Sequence, residues 1–91
     1  MMRPLFHLGQ VVATRGVFVH LEHHGIAPVQ YLTRHVCGDW GSVSAEDAKT
    51  NQLAIAHGAR ILSSYDIAGK RVWIITEADR SMTTLLFPDE Y

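Results

Sequence analysis

The segment from Arg34 to Gly41, Arg-His-Val-Cys-Gly-Asp-Trp-Gly, gathers a base, a thiol, a carboxylate and an indole in one place. Histidine is the usual general acid or base, because its unperturbed pKa is about 6.5. The two glycines would let the backbone come close to a ligand. The alternative is a structural interpretation, in which Trp40 fills the core, Asp39 caps an amide and the glycines form a turn. His35 is therefore a candidate for catalysis, and Arg34, Asp39 and Trp40 are candidates for binding.

A second candidate region is the hairpin from Thr76 to Thr84, which is rich in hydroxyls and carboxylates and contains one arginine. Hydroxyl groups and the guanidinium fork of arginine bind phosphate oxygens. The same residue types are common in a plain solvated turn, which is the structural alternative. The candidates for catalysis here are Arg80, Thr83 and Thr84, and the candidates for binding are Glu77, Asp79 and Ser81.

Three histidines, His20, His23 and His24, fall on one predicted helix, where His20 would share a face with either of the others. A zinc site needs three or four ligands, and only Cys37, His35 or a carboxylate could complete this one. The chain contains no CxxC or HExxH motif. A lone cysteine is usually a small buried hydrophobe rather than a nucleophile. We therefore expect no metal and no other cofactor.

The composition is that of one ordinary globular domain. The chain has 91 residues, of which 47% are hydrophobic and 19% charged, so a packed core is expected without disulfides. We predict a flexible N-terminal arm over residues 1–8 and a single domain over residues 9–91.

The predicted location is the cytoplasm. A single cysteine cannot form an intramolecular disulfide, which suits a reducing compartment. The start of the chain lacks the uninterrupted apolar run of a signal peptide. The longest apolar stretches are far shorter than the roughly 20 residues that cross a bilayer, so we expect no membrane association.

The pattern of apolar residues and caps predicts an α+β fold, with about three helices packed on one face of a small antiparallel sheet of three to four strands. Thr14 and Ser44 are predicted N-caps, and Pro28 suits a first helical position. The predicted helices run from about Arg15 to His24, over about nine residues from Pro28, and from Ser44 to His57. In the second of these, Val29, Leu32 and Val36 form the predicted apolar stripe. The predicted strands are Gly9 to Ala13, Arg60 to Tyr65, Arg71 to Thr76 and Thr83 to Phe87.

The chain resembles a family of short, uncharacterised proteins of bacterial plasmids, integrative elements and phages, often labelled plasmid-related proteins. The resemblance implies a small accessory protein of a mobile genetic element and implies no particular activity. The histidine-rich stretch 19–24 is not part of the family pattern. The matching stretches are Leu8 to Thr14, Tyr31 to Val36, Gly38 to Gly41, Arg60 to Tyr65, Trp73 to Ser81 and Thr83 to Tyr91.

The segment Arg34-His35, followed closely by Gly38-Asp39-Trp40-Gly41, is also similar to a segment of colicin-type toxin nucleases. Helices followed by an antiparallel sheet is likewise the layout of barnase-like ribonucleases. This likeness implies that His35 is the general acid or base and that Arg80, alone or with Arg60 or Arg71, stabilises the phosphorane charge. It also implies that Thr83 or Thr84 positions the phosphate. It requires His35 to be exposed in a cleft, within about 7 Å of Arg80 or of these threonines.

The net charge distinguishes between a protein-binding role and a role on nucleic acid. At −1 the chain lacks the basic field that attracts nucleic acid, and no predicted helix carries several basic residues as a DNA-recognition helix would. We therefore favour a binding protein with a host or element-encoded protein partner over an enzyme. The alternative is a metal-independent endoribonuclease.

Overall fold

A computed structural model describes residues 3–91, so the first two residues of the predicted arm lie outside the described part. The chain forms three α-helices, four β-strands and a final 3₁₀ turn, which confirms the α+β class. In chain order these are β1 (Gln10–Ala13), α1 (Arg15–His23), α2 (Val29–Val36), α3 (Ala45–His57), β2 (Ile61–Ile67), β3 (Lys70–Thr76), β4 (Met82–Leu86) and the 3₁₀ turn (Pro88–Glu90).

The sheet is mixed rather than wholly antiparallel. Its strand order is β1-β4-β3-β2, with β2–β3 and β3–β4 antiparallel and β1 parallel to β4. A parallel neighbour needs a long crossover connection, and here all the helices and two strands intervene between β1 and β4. Local sequence patterns carry no information about such a distant pairing, which is why the expected antiparallel sheet was wrong at this strand.

The helix ends follow the predicted capping. Thr14 Oγ1 accepts a hydrogen bond from the Val17 amide at 3.3 Å, and Ser44 Oγ accepts one from the Asp47 amide at 3.0 Å. Gly58 ends α3 in the left-handed conformation, with φ 68°. Pro28 immediately precedes α2 instead of opening it. Within residues 3–91, no helix is long and apolar enough to cross a bilayer.

The core lies against one face of the sheet. Its larger cluster contains the strand residues Tyr65, Ile67, Val72, Ile74 and Leu85. Tyr65 pairs with Val72, and Ile74 pairs with Leu85, so these side chains share one face. Val17 and Leu21 of α1 join this cluster, and Ala54 of α3 joins a second cluster with Trp40 and Ile61. That all three helices pack on this one face stays a prediction.

The face that α2 buries agrees only in part with the expected apolar stripe: Leu32 packs against the core cluster. Val29 begins that stripe but is 62% exposed, whereas His35 is completely buried. A polar side chain is buried when its hydrogen bonds are satisfied inside the protein, and both ring nitrogens of His35 have partners. The hydrogen bonds of His35 therefore act together with the packing of Leu32 in orienting α2.

Replacing Gly41 by alanine should destabilise the fold more than the same change at Gly25. Both glycines have positive φ, 72° and 64°, so each variant bears the strain of alanine in that region, about 1–2 kcal/mol. At Gly41 the added Cβ would also overlap the Ser64 carbonyl oxygen and the Tyr65 ring, whereas at Gly25 it meets nothing within 4 Å. We expect a loss of more than about 3 kcal/mol for Gly41→Ala by urea denaturation. Equal losses in the two variants would contradict a structural role for the loop.

Candidate functional site

His35 lies at the centre of a chain of buried hydrogen bonds. Its Nδ1 contacts Ser63 Oγ at 2.5 Å and its Nε2 contacts Thr76 Oγ1 at 2.9 Å. Thr76 Oγ1 lies 2.7 Å from Thr83 Oγ1, which in turn donates to the Leu8 carbonyl at 2.7 Å. The side chains of His35, Ser63, Thr76 and Thr83 are all buried.

The Leu8 carbonyl fixes the direction of every bond in this chain, because a carbonyl can only accept. Thr83 uses its proton on Leu8, so it accepts from the Thr76 hydroxyl. Thr76 must then accept from Nε2–H of His35, which leaves Nδ1 to accept from Ser63. The chain is fully satisfied by a neutral imidazole protonated at Nε2. Burial lowers the pKa of His35 to about 4, which agrees with the neutral form.

Two aromatic side chains cover the His35 imidazole. Phe6 meets it edge-on with the ring centroids 5.2 Å apart, and Trp40 does so at 6.0 Å. Trp40 is itself buried, at 6% exposure. The backbone before Phe6 is also tied down, since the Leu5 amide donates to the Val36 carbonyl at 2.8 Å. His35 is thus sealed, and it is not exposed in a cleft as the nuclease hypothesis requires.

The loop around Asp39 forms a turn fastened to the sheet. Its carboxylate accepts from Arg34 Nε at 2.7 Å and from the Gly41 amide at 3.3 Å, and the Arg34 guanidinium holds the pKa of Asp39 below its usual value. The Tyr65 hydroxyl donates to the Asp39 carbonyl at 2.6 Å. The Arg34 guanidinium lies 4.7 Å from the centre of the Tyr65 ring, a cation–π arrangement. Arg34, Asp39 and Trp40 therefore hold this loop in place.

Arg80 directs its guanidinium at backbone carbonyls. Its Nη2 donates to Ala54 at 3.0 Å, and its Nη1 donates to Ala59 at 2.6 Å and to Glu77 at 3.0 Å. The Ala54 carbonyl also accepts from the Gly58 and Ala59 amides, at 2.9 and 3.1 Å, so Arg80 adds a third donor at the end of α3. Arg80 thus joins the end of α3 to the β3–β4 turn through its two terminal nitrogens.

The other hairpin candidates are divided between the turn and the two faces of the sheet. Asp79 accepts from the amide and the hydroxyl of Ser81 at 3.0 and 2.6 Å, and these bonds lower the pKa of Asp79. This is an Asx turn of the kind expected in a solvated hairpin. Thr83 joins the His35 chain, whereas Thr84 lies on the opposite face because successive strand residues alternate. The structure therefore brings His35 and Thr83 together and leaves Thr84 apart.

The histidines of α1 do not converge on a metal site. His20 is buried and its Nε2 donates to the Ile67 carbonyl at 2.8 Å, while His23 and His24 are exposed. Among residues 3–91, no group of three or more His, Cys, Asp or Glu side chains is placed to hold an ion.

The outer edge of β2 is covered by the protein itself. Asn51 of α3 pairs with the Leu62 backbone like a neighbouring strand, donating at 2.7 Å and accepting at 3.1 Å. At Ser64 the segment from Trp40 to Ser42 takes over, with hydrogen bonds of 3.0 and 2.7 Å. Such covering prevents an edge strand from pairing with another chain.

The opposite edge, β1, is open. Gln10 donates to the Ser81 carbonyl at 3.0 Å and Thr14 to the Leu85 carbonyl at 2.9 Å, so alternate residues of β1 face β4. The amides and carbonyls of Val11 and Ala13 therefore point away from the sheet. Among residues 3–91, no strand lies on that side of β1. Val11 is 42% exposed.

An apolar groove of about 410 Å³ runs beside this open edge. We call it the β1 groove; its walls are β1, Leu85 of β4, the side of α1 that carries Phe18, Leu21 and Glu22, and residues 25–28. Phe18 and Ile26 line it, and Glu22 is the one charged residue in its wall. Small-molecule and peptide sites are typically concave and mostly apolar with few polar groups. The open edge and the β1 groove together form the candidate functional site.

None of the residues predicted from the sequence to act in catalysis or binding lines the β1 groove. The sequence does contain a signal, which is the surplus of apolar residues on α1. A surface helix usually buries a single apolar stripe. Here Val17 and Leu21 form the buried stripe, so Phe18 and Val19 remain 56% and 51% exposed.

Acid should destabilise the protein through His35. The folded-state pKa of about 4 lies below the usual value of 6.5, so the unfolded chain takes up the proton first as the pH falls. The stabilisation is complete above pH 6.5, declines between 6.5 and 4, and totals about 3 kcal/mol. The measurement is the free energy of unfolding against pH for the wild type and for His35→Gln, in which Asp39 and Asp79 still titrate. If the two curves ran parallel from pH 7 to pH 4, the assignment would be wrong.

Comparison of the chain with known protein families, with curated proteins and with solved structures found no match. The likeness to plasmid-related proteins stays an expectation from the sequence. The candidate site is therefore interpreted from its own contacts.

Proposed function

We propose that this protein acts by binding another protein chain along the open edge of β1, as an accessory protein of a mobile genetic element. The observation that carries this proposal is the contrast between the two edges of the sheet. The β2 edge is covered at Leu62 by Asn51 and at Ser64 by residues 40–42, whereas β1 is open and borders an apolar groove. A protein that covers one edge and leaves the other open beside an apolar groove has a surface suited to strand addition.

Strand addition would use both features of this surface. An extended partner segment would pair with the outward amides and carbonyls of Val11 and Ala13, which gives affinity. Val11 and Ala13 lie on the core face of the sheet, in register with Thr83 and Leu85. Every second side chain of the added strand would point to that same face and enter the β1 groove. The expected partner segment is therefore extended and apolar at alternate positions.

Charge favours a protein partner over a polyanion. The net charge is −1, and the one charged residue in the groove wall is an acid, Glu22. Arg34 is paired with Asp39 at the surface and the Arg80 guanidinium donates to backbone carbonyls, so the donors in these bonds are already used. A basic residue at the rim of the partner segment would complement Glu22.

The ribonuclease alternative makes a separate prediction. Purified protein incubated with total RNA in EDTA should leave the RNA intact, because the His35 imidazole is sealed and both its nitrogens are occupied. RNA fragmentation would be followed on a gel beside a His35→Gln control. Cleavage that disappears in the control would instead establish catalysis at residue 35 and overturn the binding proposal.

A photo-reactive amino acid placed at Gln10 should cross-link the partner in cells. Gln10 is exposed at the β1 edge, and its side chain lies on the face away from the groove, so the probe would not block docking. Gln52, which is exposed on α3, is the matched control position.

Ala13→Pro removes an outward amide without breaking the ladder to β4, and it should reduce the cross-linked product about tenfold. Mass spectrometry would identify the product. Equal cross-linking at both positions, or no effect of Ala13→Pro, would refute docking at β1.

A further inference from the structure

The outer side of α1 carries a stripe with an apolar centre and opposite charges at its ends. Arg15, Phe18, Val19 and Glu22 stand at positions i, i+3, i+4 and i+7, which share one side of a helix, and all four are exposed. Neither Arg15 nor Glu22 forms an ion pair within residues 3–91. We call these four residues the α1 stripe.

The charges of the α1 stripe are placed against the helix dipole. The N-terminal end of a helix favours acidic groups and the C-terminal end favours basic ones. In α1 the arginine stands at the first position and the glutamate next to the last. This arrangement weakens the isolated helix slightly. A carboxylate from another chain beside Arg15 and a cation beside Glu22 would correct it.

The α1 stripe is complementary to itself when two copies run antiparallel. A two-fold axis passing between Phe18 and Val19 brings Arg15 of one copy opposite Glu22 of the other, and does so twice. The same axis packs Phe18 of each copy against Val19 of its mate. A two-fold interface uses one surface patch on both subunits, which is the requirement that this pattern meets.

Two copies of the open β1 edge can also pair about a two-fold axis. When two β1 strands pair antiparallel about Val12, Val11 of each copy stands opposite Ala13 of the other. Each such pair exchanges two hydrogen bonds, so all four outward groups on each strand are satisfied. Gln10, Val12 and Thr14, which alternate with them, remain bonded to β4.

The strand edge and the α1 stripe adjoin at two residues of the stripe, since Phe18 and Glu22 line the β1 groove together with Val11, whereas Arg15 and Val19 do not. Paired strands lie about 4.8 Å apart, and packed helices about 8–10 Å apart. Since α1 packs across β1 and β4, a two-fold axis at the β1 edge would bring the two α1 helices to about that separation.

We infer that the occupant of the β1 edge is a second copy of this chain, which joins the two sheets into one continuous sheet; this inference rests on the proposed docking surface. A four-residue strand alone is too small for a stable interface, which needs about 800 Å² from each partner. The groove and the α1 stripe supply further area. An unrelated extended segment would fill the groove but leave Arg15 without a partner, whereas a second copy pairs it.

Charge reversal tests the inference on purified protein by sedimentation velocity over a range of concentrations. The wild type should form a dimer. Glu22→Arg places two arginines together at each end of the interface and should raise the dissociation constant about tenfold or more. The double variant Arg15→Glu, Glu22→Arg restores both pairs and should recover the dimer. Glu46→Arg, an exposed reversal on α3, should leave the dimer unchanged.

Three results would overturn the inference. They are a monomer at concentrations up to about 1 mM, a dimer that Glu22→Arg does not weaken, or a double variant that stays as weak as the single one. All the substituted residues are exposed, and circular dichroism would verify that the variants fold. If the purified protein is monomeric while the Gln10 probe captures a different protein and Ala13→Pro abolishes that capture, the docking surface stands and the second copy is excluded.

Discussion

The fold depends on the hydrogen-bond chain that runs from Ser63 through His35, Thr76 and Thr83 to the Leu8 carbonyl. It joins α2 to three of the four strands, β2, β3 and β4, through Ser63, Thr76 and Thr83. It also joins α2 to Leu8, which lies just before β1 in the chain. Leaving any one member unpaired in the interior would cost about 1–3 kcal/mol. Because the last acceptor is a carbonyl, the direction of each bond and the protonation of the imidazole follow from it.

Bonds of this kind explain why the residues that the sequence suggested for catalysis and binding stabilise the fold instead. His35 is occupied at both nitrogens, Asp39 holds its own loop through Arg34 and Gly41, and Arg80 satisfies carbonyls at the end of α3. Buried polar groups must be paired, so in a small domain with several of them the donors and acceptors form hydrogen bonds with one another. The groups left for interaction are the backbone edge of β1 and the apolar side chains beside it.

The sequence predicted the elements whose cause is local. Thr14 and Ser44 act as N-caps because a side-chain oxygen needs only the next turn of the helix as its partner. The β-branched and aromatic run before Thr76 forms β3. The orientation of α2 was predicted only in part: Leu32 packs against the core as its spacing implies, whereas Val29 is exposed and His35 is buried by bonds to distant residues. The parallel direction of β1 was not predicted, because its partner β4 lies near the other end of the chain.

The candidate site was hidden because a strand edge is a property of the backbone. Whether the amides of Val11 and Ala13 point outward depends on which residues of β1 bond to β4, and side-chain types do not encode that choice. Only the apolar surplus of α1, Phe18 and Val19, was visible beforehand, and exposed apolar side chains occur singly on many proteins. They indicate a binding surface here because Phe18 lines a groove beside an unpaired strand edge, whereas the other edge of the same sheet is bonded to Asn51.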